Sequence, residues 1–204
     1  MTASDDGRQA HWEDVYSSKG VDEVSWFQRD PEVSLRLVAG APGSVVDVGA
    51  GASVLVDRLL EAGRTDVTLL DLSPAALTVT RERLGPAADG VTFVAADVVG
   101  WDPDRTFDCW HDRAVFHFLT DPARQAAYVA TAGRLVAPRG AVVLGTFAAD
   151  GPTQCSGLPT ARHEPADLAT LFAHDFDLEH AERETHRTPW GAEQHFTWVV
   201  LRRR

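Results

Sequence analysis

Three acidic residues each close a short apolar run: Asp47 in Val45-Val46-Asp47-Val48, Asp71 in Leu69-Leu70-Asp71-Leu72-Ser73, and Asp97 in Ala95-Ala96-Asp97-Val98. Carboxylates placed this way can accept hydrogen bonds from separate parts of one ligand. Gly49 and Gly51 follow Asp47, with Ala50 between them. Glycines there let the backbone turn sharply and approach a ligand closely, and a helix start behind them favours negative groups. The same G-x-G is equally a plain turn between a strand and a helix. Two details narrow it. Val54 stands where the pyrophosphate fingerprint G-x-G-x-x-G has its third glycine. Asp47, ahead of the turn, suits a ligand with a cationic ammonium better than one with a pyrophosphate. Asp71 lies 20 residues beyond Gly51, where an acid can accept from both ribose hydroxyls, although alone it would serve as a helix cap. Asp97 can accept from an adenine amino group or simply end a turn.

A second polar group follows the apolar run at Phe107: His111, Asp112, Arg113 and His117. Either histidine has the unperturbed pKa of a general base, near 6.5. Asp112 can accept from an amine or orient a histidine, and Arg113 can hold a carboxylate bidentately. The structural alternative is an Asp–Arg pair bracing a loop around packed histidines. Further along, Gln154-Cys155-Ser156-Gly157-Leu158 lies in a proline-rich stretch, and Cys155 and Ser156 are candidates for contact with a substrate. Nothing basic lies beside Cys155 in sequence to lower its pKa. His186, Trp190 and His195 flank one turn near the end, with Trp190 a third substrate-contact candidate. The two histidines read as cross-strand neighbours without a metal partner, so no metal site is expected.

These residues need a scaffold. Strand-like runs at Ser44–Val48, Val67–Asp71, Val91–Ala95, Phe107–His111 and Gly140–Phe147 alternate with helical patterns at Ser53–Ala62, Pro74–Leu84 and Asp121–Leu135. That alternation predicts an α/β fold, a parallel sheet with helices on both faces, and ligands in such sheets bind at the C-terminal strand ends. Ser73-Pro74 and Asp121-Pro122 each pair a helix cap with proline at the first helical position. Ala148–Pro165 reads as a long loop and Pro165–Phe172 as a short helix. Phe176–Arg187 and Gln194–Leu201 are joined by six residues, too few for a crossover helix, so they must be antiparallel neighbours. His11–Val38, with Trp12, Tyr16, Trp26 and Phe27, reads as an aromatic helical segment that can close over the strand ends. One domain is expected over residues 1–204, with a lid at 1–40 and a core at 41–204.

The bulk composition narrows the partners. Lys and Arg number 19 against 30 Asp and Glu, a formal charge of −11, which argues against a nucleic-acid surface. Arg202, Arg203 and Arg204 form a small basic tail, read as a solvated end. The first ten residues are polar and no apolar stretch reaches the roughly 18 residues of a membrane helix. Cys109 and Cys155 form no pair motif, which fits a reducing cytoplasm.

The chain resembles the class I S-adenosylmethionine-dependent methyltransferases over nearly its whole length. VVDVGAGAS is similar to their glycine-rich first motif, LLDLS to their second and AADV to their third. The resemblance implies a Rossmann-like seven-stranded sheet of order 3-2-1-4-5-7-6 with one antiparallel strand. It places Asp47, Gly49, Ala50 and Gly51 beside the methionine part of S-adenosylmethionine, where Ala50 stands in the position the family often fills with Cys. It puts Asp71 on the ribose, Leu72 and Ser73 along the nucleoside, and Asp97 and Val98 at the adenine. The residues after the fourth strand, His111 among them, would face the methyl group. HWEDVYSSKGVDEVSWFQ resembles the opening of a subgroup that includes thiopurine-type and protein-lysine enzymes, in which Trp12 and Trp26 would close over the cofactor. The implied function is methyl transfer to an N, S or O nucleophile of a small molecule, by a monomer or weak dimer. A protein side chain is the runner-up acceptor, and an NAD-dependent oxidoreductase is the alternative enzyme.

Overall fold

The computed structural model describes residues 5–204. The first four residues of the expected lid lie outside them. The nine strands are β1 (Val45–Val48), β2 (Val67–Asp71), β3 (Val91–Ala95), β4 (Phe107–Arg113), β5 (Val136–Phe147), β6 (Gln154–Cys155), β7 (Leu158–Pro159), β8 (Phe176–Arg187) and β9 (Glu193–Arg203). The six α-helices are α1 (Asp5–Ser18), α2 (Glu32–Val38), α3 (Leu55–Glu61), α4 (Pro74–Leu84), α5 (Pro122–Leu135) and α6 (Pro165–Phe172).

Seven strands form one sheet in the order β3-β2-β1-β4-β5-β9-β8. β1 to β5 are parallel, while β9 runs antiparallel to both β5 and β8. Counted along this sheet, the order is the expected 3-2-1-4-5-7-6. Alternate residues of each central strand feed two separate cores. Val45, Cys109 and Val143 pack toward α2 and α3, and Val46, Trp110 and Val142 pack toward α5 and α6. With both faces covered, β1 and β2 are buried at every residue, which is why they read as continuous apolar runs.

Several local expectations change. The aromatic opening segment is two helices, not one. α1 ends at Ser18, a short 3-10 turn spans Val21–Glu23, and extended chain leads to Pro31 before α2. α3 starts at Leu55 rather than Ser53, because Ala52 to Val54 complete the glycine turn and the Ser53 hydroxyl accepts from the Leu55 amide at 3.1 Å. β4 continues through Asp112 and Arg113, so both belong to the strand end rather than to the loop. The long loop is partly ordered by the β6–β7 hairpin. The arginine tail is not a free solvated end. Arg202 pairs with Glu179 and Arg204 with Asp177, and Arg203 donates to the Val136 carbonyl, tying the last strand to its neighbours. Among the described residues no helix is long and apolar enough to cross a membrane.

Candidate active site

The chain turns at Gly49 and Gly51 with φ of 65° and 51°, a region L side chains rarely adopt. Space demands glycine as well. A Cβ on Gly49 would lie 1.9 Å from Val115 Cγ2, and one on Gly51 would lie 2.3 Å from the Tyr16 hydroxyl oxygen. The turn is pinned to β2: Gly49 and Ala50 donate to the Leu70 carbonyl, and Gly51 donates to Asp71 Oδ2 at 2.8 Å. Asp71 Oδ1 accepts from the Ser73 amide at 2.8 Å. Each Asp71 oxygen therefore keeps a further acceptor position. Burial pushes this carboxyl up to about 6, against the opposing pull of the Ser73 and Gly51 amides.

Gly49, Asp71, Leu72, Asp97 and Val98 line one cleft at the C-terminal strand ends, together with Trp12 and Trp26. Of the residues expected at the cofactor, Asp47, Ala50, Gly51, Ser73 and His111 do not line this cleft, and Asp47, Ala50 and His111 line a smaller neighbouring one. Ser73 caps α4 by accepting from Ala76 and donates to Glu13 of α1, so it braces the wall from behind. Ala50 is buried in the turn. Asp97 is also more constrained than expected. Its Oδ1 accepts from Val99, and its Oδ2 is 2.8 Å from Arg124 and 3.5 Å from Arg8. α1 roofs the cleft. Trp12 meets Trp26 and Phe118 edge to face, with centroids at 5.7 and 5.0 Å. Tyr16 reaches over Gly51, its hydroxyl pushed up first by burial and then by the Asp71 charge.

The polar group at β4 separates into different roles. His111 is buried, with Nδ1 2.7 Å from Asp47 Oδ1 and Nε2 2.9 Å from Ser34 Oγ. Both ring nitrogens are engaged, so it presents no free base. Asp112 accepts from Tyr128 Oη at 2.6 Å and from Val115 N at 2.9 Å, and Tyr128 in turn accepts from Trp110. Burial pushes Asp112 up to about 6. This network shapes the chain after β4, and of its members only Val115 lines the cleft. His117 is fully buried, stacked 4.1 Å from Phe147 with its ring nitrogens unpartnered, and burial pushes its pKa down to about 3. It too stands away from the cleft. Arg113 alone of the four lines the cleft with the cofactor candidates.

Of the substrate-contact candidates, Cys155 lines the cleft, with Sγ 3.7 Å from Ser25 Oγ, and burial raises its pKa. Ser156 faces His11 at 3.3 Å. Trp190 is 63% exposed on the β8–β9 turn and takes no part. His186 and His195 are not paired across the hairpin: His186 faces Gln194 and bonds to the Ser25 carbonyl, while His195 faces Thr185 and contacts Asp150. No metal-binding cluster occurs among the described residues. Tyr16, Ala114, Val115, Phe118 and Arg124 also line the cleft and were missed as site residues. Tyr16 had an available signal, its place in the aromatic opening segment. Ala114 had none; its φ of 74° at the strand exit exists only in the folded chain.

Residues 45–140 match the family described as a methyltransferase domain. Over those residues the chain is similar to a methyltransferase domain. Among curated proteins it is 27% identical over 82 residues to malonyl-[acyl-carrier protein] O-methyltransferase 1 of Ilyobacter polytropus, covering 40% of this chain and 30% of that one. It is 27% identical over 123 residues to nodulation protein S of Rhizobium tropici, covering 59% and 51%. The chain thus spans about half or less of the length of these relatives. Among solved structures, Burkholderia thailandensis 1,6-didemethyltoxoflavin-N1-methyltransferase, crystallised with its substrate and S-adenosylhomocysteine, superposes with a TM-score of 0.71 at 24% identity over 100% of this chain and 92% of that one.

Proposed function

We propose that the protein transfers the methyl group of S-adenosylmethionine to a nucleophilic atom of a small molecule. The observation that carries this reading is the meeting of Gly49, Asp71, Leu72, Asp97 and Val98 in one roofed cleft of a methyltransferase domain. These residues fit the cofactor: open acceptor positions on Asp71 suit ribose hydroxyls, and apolar Leu72 and Val98 suit the base. The bound cofactor supplies an activated methyl group on a sulfonium, so the protein's own part is orientation and exclusion of water. Trp12, Trp26 and Tyr16 exclude water from above. Neither histidine of the β4 segment supplies a base, which favours an acceptor that arrives with a free electron pair.

A roofed cleft supports a small acceptor over a protein side chain. So does the superposing 1,6-didemethyltoxoflavin-N1-methyltransferase, which binds 1,6-didemethyltoxoflavin. Two free, buried cysteines accord with a reducing, cytoplasmic setting.

Calorimetry with S-adenosylmethionine and NAD tests the cofactor; binding of NAD alone would overturn the reading. Incubation with methyl-labelled cofactor and cell extract tests the acceptor. Label is expected in the small-molecule fraction, and label confined to protein would establish the side-chain alternative.

A further inference from the structure

Arg113 is a buried charge whose hydrogen-bonding capacity is not met among the described residues. Its Nη1 donates to the Trp26 carbonyl at 2.9 Å, and its guanidinium carbon lies 4.8 Å from the centre of the Phe196 ring. Nε and Nη2 are buried and without a hydrogen-bond partner. The nearest acid with an influence on it, Glu184 of β8, is already engaged through both oxygens, by Gln28 at 2.9 Å and Trp198 at 2.7 Å. No salt bridge to Arg113 forms among the described residues. A buried guanidinium with two idle donors costs stability unless a ligand completes it.

Its position says which ligand. Arg113 ends β4 and lines both the main cleft, with Asp71 and Gly49, and a smaller cleft behind Trp26, with Asp47 and Ser34. In the sheet its strand stands two places from β2, which ends at Asp71. Around it on the main-cleft side are the rings of Trp12, Trp26 and Phe118 and the thiol of Cys155. Flat apolar walls with one fork of paired donors match a planar molecule that carries a carboxylate.

We propose that Arg113 selects the methyl acceptor by binding a carboxylate on a small planar molecule. This rests on the methyltransferase reading above and adds the substrate class. The idle Nε and Nη2 take the two carboxylate oxygens, and the aromatic walls take the ring. Replacing the carboxylate by a carboxamide sets an NH2 against these donors and forfeits the charge, so amides should be rejected.

Protein loaded with S-adenosylhomocysteine is titrated with benzoate, salicylate, anthranilate and nicotinate, and with the four matching carboxamides. Binding of S-adenosylhomocysteine is measured first; its failure would overturn the methyltransferase reading itself. With the cofactor product bound, at least one acid should bind at least tenfold tighter than its amide. R113Q should abolish that preference, and R113K should keep part of it. Equal binding of acids and amides, binding of neither, or a preference that survives in R113Q would each overturn the proposal. The comparison of acid with amide on the native protein stands even if R113Q fails to fold.

Discussion

His111 and Asp47 face each other in register across β4 and β1, and His111 Nδ1 lies 2.7 Å from Asp47 Oδ1. The imidazole bridges a strand-end acid to Ser34 of α2. His111 is thereby a strut that holds α2 to the sheet. His111→Ala should leave the Asp47 carboxylate and the Ser34 hydroxyl unpaired in the interior, costing about 1–3 kcal/mol. Urea unfolding measures it. A variant of native stability whose turnover falls more than a hundredfold would instead make His111 a base.

The contact between Gly51 and Tyr16 gives a second expectation. Gly51→Ala meets both a φ of 51° and the Tyr16 hydroxyl 2.3 Å from the new Cβ. The backbone strain alone is about 1–2 kcal/mol. Tyr16→Ala removes the obstacle but not the strain. A double-mutant cycle followed by denaturant unfolding should therefore show coupling, with Gly51→Ala costing less in the Tyr16→Ala background. Additive costs would mean that α1 does not press on the turn.

Asp71→Ala should weaken S-adenosylmethionine binding by at least about tenfold, a loss of about 1.4 kcal/mol, while a cooperative melting curve persists. The acid carries a pH signature too. Its carboxyl is pushed up to about 6 by burial, so the ionised acceptor is lost as pH falls through that value. Calorimetry from pH 7.5 to pH 5 should show native affinity declining, and a flat profile for the variant. Unchanged affinity in the variant would remove Asp71 from the binding site.

His117 provides a test of stability. Its folded pKa is pushed down to about 3 by burial, below the unfolded value of about 6.5. A depressed folded pKa contributes stability that is present above about 6.5 and is lost as pH falls toward the folded value. His117→Phe keeps a ring against Phe147 and cannot take up a proton. Melting temperature should therefore drop less between pH 7 and pH 4.5 in the variant than in the native protein. Equal drops would mean that the native ring is hydrated.

That Gly49, Asp71 and Asp97 gather at one cleft was legible because each combines residue type with position at a strand end. The antiparallel close of the sheet was legible from the short connection before Gln194 alone. The β4 segment was not. Four polar residues in seven looked like one constellation, yet strand alternation sends His111 and Asp112 to opposite faces. One meets Asp47 and Ser34, the other Tyr128 and Val115. Trp190 misled for a related reason: aromatic character signals burial or binding equally, and only the turn's geometry leaves it in solvent.

Local rules acting along the chain were enough to determine the order of strands and helices and the acids at their ends, because periodicity, caps and glycine turns depend on near neighbours. Which polar groups find partners was decided by tertiary structure alone, because a hydrogen bond is settled by residues far apart in sequence. His111 is satisfied by residues 64 and 77 positions away, while two nitrogens of Arg113, two residues from it, are not satisfied at all. That difference, invisible in the sequence, separates a strut from the residue we propose binds the acceptor.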